Sequence, residues 1–519
     1  MSEPKKVDRR KFIYAGLGAV ALVAIGAAAY IAMNPPVVTV TKPTTSVVTT
    51  TVPTTSVVTT TVPTTSVVTK TTSVVTTTTV PTTTVIPYTP PFTFWAEKGY
   101  TESEDKAWDA IIKSFCDQYG IIGYEITRAA YSDLDIKLTS AIDAGTPPDC
   151  IQVPMWSEAM LGAFKGWLVD LSDLIEPVKD KLAPAALECA YLYDDIIKKR
   201  SYYNATWAMS GFFLHVNKDL IRKAGEDPNN IPKEWNEFHD FFKRVQKKLG
   251  GPPPYAFGYP VSTASMGDGP NMVQQLFNTM GGEAISKDNE FVMDHPENRA
   301  IFIETVEILS NFIKEGYCPK DALTWTAPGN NTAFNTGVTV TMWNGSLSIP
   351  MYWLGKDPRM YYEGIATIDA PKGPHGEEWK YLMWGGGLQT YKKSKNIELA
   401  KKFISYMLQP QQQVTIIKGM GGRLFPAHKD AAEDPSLKNG FVTPDHPVDP
   451  NYPAFYRQLF QRKNTIPWDS KHIAFSDALA AGCWTDCFSR VIVDGWTPAE
   501  AVDEQIARMK TFWKKYGGA

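Results

Sequence analysis

Several short stretches of this 519-residue chain place an aromatic ring or a flexible backbone beside side chains that donate and accept hydrogen bonds. Glu97 and Lys98 follow the strand-like run Phe92-Thr-Phe-Trp95 and precede Tyr100. Trp156 and Glu158 follow the apolar run Cys150-Ile-Gln-Val153. Asp268 and Asn271 lie in a segment broken by Gly and Pro. Trp343-Asn344 ends another apolar run, Trp384 precedes the triplet Gly385-Gly386-Gly387, and Trp484 falls in a C-terminal helical stretch. Ring faces plus bifunctional polar groups are the chemistry of holding a hydroxyl-rich solute, and a Gly triplet lets backbone approach a ligand closely. Each residue also has an ordinary reading. Glu97 and Lys98 form a solvated ion pair, any of the tryptophans belongs to a core, and Arg423 in Gly421-Gly-Arg-Leu-Phe-Pro426 is either a cleft residue or a loop charge. Asn204, Asn330 and Asn344 each open an N-glycosylation sequon. A glycan on Asn344 is incompatible with a ligand role there, so one of those two assignments must fail.

Bond-breaking chemistry finds less support. No GxSxG, HExxH or P-loop is present, and no motif singles out the two carboxylates a glycosidase needs across one bond. The six cysteines form no CxxC pair and no Cys/His cluster with zinc spacing, so neither a metal nor a cofactor is expected. Buried thiols and disulfides stay equally open for them. A formal net charge of -3 argues against a nucleic-acid partner.

The elements that must position these residues begin after a long leader. Lys5, Lys6, Arg9, Arg10 and Lys11 precede an uncharged apolar run over residues 12–33, whose helix would rise roughly 33 Å, enough for a bilayer core. The basic flank keeps the N-terminus cytoplasmic and exports the rest. Arg9-Arg10-Lys11-Phe12-Ile13 also looks like a twin-arginine export signal, so a cleaved signal peptide competes with a membrane anchor. Residues 34–91 are a Thr/Ser/Val/Pro tract built on a decamer, Thr-Thr-Ser-Val-Val-Thr-Thr-Thr-Val-Pro. It cannot bury a core and predicts a disordered stalk spanning on the order of 100–200 Å.

From Phe92 onward, strands alternate with helices. Strands are predicted at 92–95, 124–127, 150–153, 212–216, 338–342, 364–368 and 388–391. Thr101-Glu-Ser-Glu104 reads as a capping box opening a helix whose apolar face is Trp108, Ile111, Ile112, Phe115, Cys116 and Tyr119. Further helices cover 134–144 and 396–409, and Thr497-Pro498 opens the last. The β-α-β-α-β order implies a mostly parallel sheet with helices on both faces, and the length implies two α/β lobes.

The order of several motifs resembles the extracellular solute-binding proteins of ABC importers, the maltose-binding-like sugar receptors above all, and the Ser/Thr-rich stalk resembles that of archaeal-type members. Ala144-Gly-Thr-Pro-Pro-Asp149 looks like their AGxxPD segment and Gly166-Trp-Leu-Val-Asp-Leu171 like GxLxDL. His215-Val-Asn-Lys-Asp-Leu220 with Ala224-Gly225 is similar to YNKDLxxxAG, and Pro232-Lys-Glu-Trp-Asn-Glu-Phe238 to PxTWDEF. The resemblance implies a periplasmic-binding-protein-like, Venus-flytrap fold with discontinuous lobes, 92–213 with 387–440 and 214–386 with 441–519, closing on ligand about the crossings. It implies that Glu97 and Lys98 hold sugar hydroxyls and that Trp156 with Glu158 supplies a stacking ring and a carboxylate. Trp343, Asn344, Trp384, Gly386 and Trp484 would add stacking or close contacts, and Asp268 and Asn271 polar ones. The protein so read is a monomeric, non-enzymatic receptor at the cell membrane that hands a carbohydrate to an ABC permease. A peptide or other solute, a secreted glycoside hydrolase and an adhesive surface protein are the alternatives.

Overall fold

The structure, a computed structural model, describes residues 39–40, 91–153, 156–265, 267–286 and 288–517. The expected membrane anchor and nearly all of the stalk lie outside the described residues. Among the described residues no helix is long and apolar enough to cross a membrane.

The chain enters on strand β1 (Phe92–Glu97), whose alternating residues Phe92, Phe94 and Ala96 are buried. Helix α1 (Glu102–Tyr119) lays its predicted apolar face over them, with Phe94 and Trp108 ring centroids 5.1 Å apart. Strand β2 (Tyr124–Ala129), helix α2 (Tyr131–Asp143) and strand β3 (Cys150–Val153) complete a β-α-β-α-β unit in which β1 runs parallel to both neighbours. Thr39–Val40 lies antiparallel along the outer edge of β2.

Helix α3 (Trp156–Phe164) follows, then a hairpin of β4 (Tyr191–Asp194) and β5 (Lys199–Tyr202). Strand β6 (Ala205–Asn217) is longer than the predicted run at 212–216, and all of its residues are buried. Its second half pairs with β7 (Thr341–Gly345) and β8 (Ile365–Ile368), and its first half with β9 (Tyr381–Gln389). Every one of these pairings is antiparallel, so the sheet is mixed rather than mostly parallel. The reason is topological: β6 carries the chain out of the first half and β9 brings it back, and strands that cross in opposite senses side by side must be antiparallel.

Those two crossing strands also explain the glycine triplet. A Cβ on Gly385 would stand 2.3 Å from Thr206 Cγ2, and one on Gly387 1.8 Å from Asn204 Oδ1, beside the register shift between Gly386 and Gly387. At least two of the three glycines are needed for β9 to lie against β6, which needs no ligand to account for them. Because β6 is buried throughout, the main apolar core is continuous from one half to the other. A smaller cluster around Leu138, Met160, Tyr391 and Ile473 lies beside it.

In the second half, α4 (Asp268–Thr279) and α6 (Gly329–Asn335) pack against β7, and α5 (Pro296–Lys314) packs on α4. Helices α7 (Ile397–Met407) and α8 (Pro410–Gly419) return to the first half beside α1. The C-terminal helix α10 (Pro498–Lys515) sits on α5 and on α9 (Ile473–Ala480), but α9 also contacts α3, and Tyr516 meets Phe164 edge-on at 5.3 Å. Arg200 on the hairpin donates to Asn289 Oδ1 at 3.0 Å and to the Lys471 carbonyl at 3.2 Å, joining the same two halves. The six cysteines are buried thiols, and burial raises each pKa.

Candidate functional site

A cavity of about 430 Å³ opens where the crossing strands meet both halves. Its floor is Ser210 on β6 and Trp384 on β9, which are register partners. The first half contributes Tyr100 and Arg423; the second contributes Asp268 and Asn271 from the start of α4, and Asn344, Gly345, Ser346 and Ser348 from the end of β7.

The second-half wall is one hydrogen-bonded network. Asp268 Oδ1 accepts from the Gly345 N–H at 3.0 Å, and Oδ2 accepts from Asn330 Nδ2 at 2.7 Å. The same Asn330 amide donates to Asn344 Oδ1 at 2.9 Å, and Asn344 Nδ2 donates to the Gly345 carbonyl at 2.7 Å and to Ser348 Oγ at 2.9 Å. Asn331 Nδ2 also reaches Ser348 Oγ, at 2.8 Å. Such a linked set holds each polar tip in one orientation before any ligand arrives. Burial raises the Asp268 carboxyl to about 6, against the pull of its Asn330 and Gly345 donors.

On the first-half wall, Arg423 donates from Nε and Nη2 to the two oxygens of Glu104 at 2.7 and 2.8 Å and lies 5.5 Å over the Tyr100 ring. This arrangement overturns the capping box expected at the start of α1. Thr101 is the residue before the helix but its side chain makes no capping bond: its Oγ1 lies 2.7 Å from Ser103 Oγ, and Glu104, which would return the reciprocal bond, is turned onto the guanidinium. Glu97 is half-buried behind this pair. Burial raises its carboxyl to about 6, with Arg423 pulling it down and Glu104 pushing it up.

The candidates read from sequence therefore separate. Asp268, Asn271, Asn344 and Trp384 come together on the cavity. Glu97 stands one charge away, through Arg423, while Lys98 is exposed and makes no ion pair with it among the described residues. Trp343 is not on the cavity: it is 2% exposed and stacked between Phe212 and Trp379, at 5.8 and 5.2 Å. Trp484 is likewise core, 1% exposed among Phe277, Phe302 and Phe475. Alternation explains the first, since Trp343 and Asn344 must point to opposite faces of β7 and Asn344 has the cavity face. Gly386 is outside the lining. The backbone of Trp156 and Glu158 opens α3 directly after β3; their side chains lie outside the described residues.

Tyr100, Ser210, Asn331, Ser346, Ser348 and Asp469 line the cavity without having been anticipated. Tyr100 is two residues beyond the Glu97-Lys98 pair and was within reach of that reading. Asp469 lies in a one-turn helix whose approach to the first half has no local signal. The sequons fail on burial: Asn204, Asn330 and Asn344 are 0%, 1% and 1% exposed, and the last two use their amide nitrogens inside the network. At Asn344 it is thus the glycan that is excluded.

The model of the bacterial extracellular solute-binding protein family matches residues 98–414. No curated protein matches the sequence. Among solved structures, the sugar-binding protein MalE of Xanthomonas citri is similar at 21% identity and a TM-score of 0.65, covering 82% of this chain and 98% of its own. A Thermotoga lettingae ABC-transporter solute-binding protein with bound alpha-D-tagatose gives 18% and 0.63, covering 81% and 99%. A Listeria monocytogenes ABC substrate-binding protein in complex with cycloalternan gives 21% and 0.60, covering 83% and 99%. These likenesses extend over both halves and the strands that cross between them, and with a family match over more than half of its length the chain belongs to the bacterial extracellular solute-binding proteins.

Proposed function

We propose that this protein is the extracellular receptor of an ABC importer, capturing a sugar or oligosaccharide between two lobes and delivering it to a membrane permease. The observation that carries the reading is the cavity itself. It is bounded by Tyr100 and Arg423 on one side and by the Asp268–Asn344 network on the other, with the Trp384 ring at the crossing strands. A ring face with fixed donors and acceptors around it suits a pyranose or furanose, which offers a weakly apolar face and a rim of hydroxyls. Solved relatives of the same fold carry tagatose and cycloalternan.

The lobes are residues 92–213 with 387–440 and 214–386 with 441–519, turning about β6 and β9. Ligand favours the closed state through contacts made to both walls at once. Residues 12–33 anchor the receptor in the membrane and the Thr-rich tract holds it outside as a monomer. The receptor has no turnover, metal or cofactor. A thermal-shift screen of mono- and oligosaccharides tests the reading: a sugar at 100 times its Kd adds about 2.7 kcal/mol of stability. Saturation by a peptide instead, or the release of hydrolysis products, would contradict it.

A further inference from the structure

We propose that the captured solute is a sugar bearing a free amine, its ammonium group seated between the Asp268 carboxylate and the Trp384 ring. The inference rests on the receptor reading above and narrows its ligand class.

A methyl group built on Gly345 would stand 2.6 Å from Asp268 Oδ1 and 3.4 Å from the benzo edge of Trp384, so carboxylate and indole flank the same stretch of the cavity wall. Both hydrogen-bond partners of Asp268 are neutral, the Asn330 amide and the Gly345 N–H, and no Lys, Arg or His among the described residues pairs with it. Each carboxylate oxygen accepts one bond from the protein and keeps capacity for another. An ammonium supplies several donors and a charge, both of which a carboxylate held only by neutral partners can use.

The other wall does not supply a compensating cation. Arg423 is the positive group on the cavity, and its guanidinium is already bound through two nitrogens by Glu104, with Glu97 near enough to act on it. With Arg423 held by Glu104, no cation on the described lining is left to offset Asp268. A neutral hydroxyl donating to Asp268 would leave a full charge that lobe closure strips of water, whereas a cation offsets it.

Isothermal titration of the full-length chain with matched pairs tests this: glucosamine against glucose, galactosamine against galactose, and the glucosamine disaccharide against cellobiose. In at least one pair the amine is expected to bind tenfold tighter or more. That preference should grow between pH 5 and pH 7, as Asp268 and Glu97 ionise in the presence of Glu104, Arg423, Tyr100 and Asp469, and Asp268→Asn should bring the ratio of the two affinities near one. Neutral members binding as tightly as the amines, or a preference that survives Asp268→Asn, overturns the inference and leaves the receptor reading standing. No saturable binding by any sugar, neutral or amino, removes the receptor reading and this inference with it. Should Asp268→Asn fail to fold by circular dichroism, the pH profile of the natural chain decides, and a preference unchanged between pH 5 and pH 7 overturns it.

Discussion

Trp384 and Trp484 are the same residue in opposite surroundings, and substitution should separate them. Trp384→Ala is expected to weaken sugar binding about thirtyfold, near 2 kcal/mol, with a small change in stability, as for a ring at the centre of a contact. Trp484→Ala opens a hole among Phe277, Phe302 and Phe475 and should cost about 3–5 kcal/mol of folding stability, leaving the affinity of the folded fraction unchanged. Titration calorimetry and denaturant unfolding on both variants check this. Acid behaviour follows from Glu97. Its carboxyl is raised from 4.5 to about 6 by burial, so the folded protein keeps a proton that the unfolded chain has released. The stabilisation is present below about pH 4.5 and is lost as pH rises through 6. Glu97→Gln, which stays neutral, should therefore gain Tm relative to the natural chain between pH 4.5 and pH 7, seen by thermal melts across that range. Sequence exposes which residues have the right chemistry and leaves open which way they face. Asn344 was separable from Trp343 by strand alternation, but nothing near Trp484 announces the three rings that enclose it.

Two threonines begin helices here by different means. Thr497 caps α10 reciprocally: its Oγ1 accepts from the Glu500 N–H at 3.2 Å, while Glu500 accepts from the Thr497 N–H at 2.9 Å. Thr101 has the same spacing to Glu104 but not the same bonds. Thr497→Ala should cost about 1 kcal/mol and Thr101→Ala only a few tenths, measurable by urea unfolding. Glu104→Ala should cost more than either, about 3 kcal/mol, because it strands the partly buried Arg423 charge. Helical faces were legible because they depend on neighbours three and four residues apart: of the α1 positions read, Trp108, Ile111, Ile112, Phe115 and Cys116 are buried and Tyr119 is half-buried. Strand partners were less so. Whether β6 and β9 lie parallel or antiparallel depends on contacts well over a hundred residues apart, and the Glu104 half of the capping signal was taken by an arginine more than three hundred residues away.

The molecule as a whole is two halves joined by strands that belong to both, and the order of short motifs along the chain was enough to read that plan. The site between the halves was half legible, since its walls come from segments that meet only when the fold is complete. Arg200 reaches across from the hairpin to Asn289 and Lys471, and Tyr516 reaches α3, so both contacts hold the halves together away from the cavity. Arg200→Ala should shift the empty protein toward a more open form and weaken sugar binding a few-fold, visible together as a larger radius of gyration and a higher Kd. Small-angle scattering of the natural chain with and without saturating sugar is the most direct measurement of the central claim. A radius of gyration that falls on saturation and tracks the calorimetric binding curve is expected; a curve that saturates in calorimetry while the scattering profile stays unchanged would contradict capture by closure.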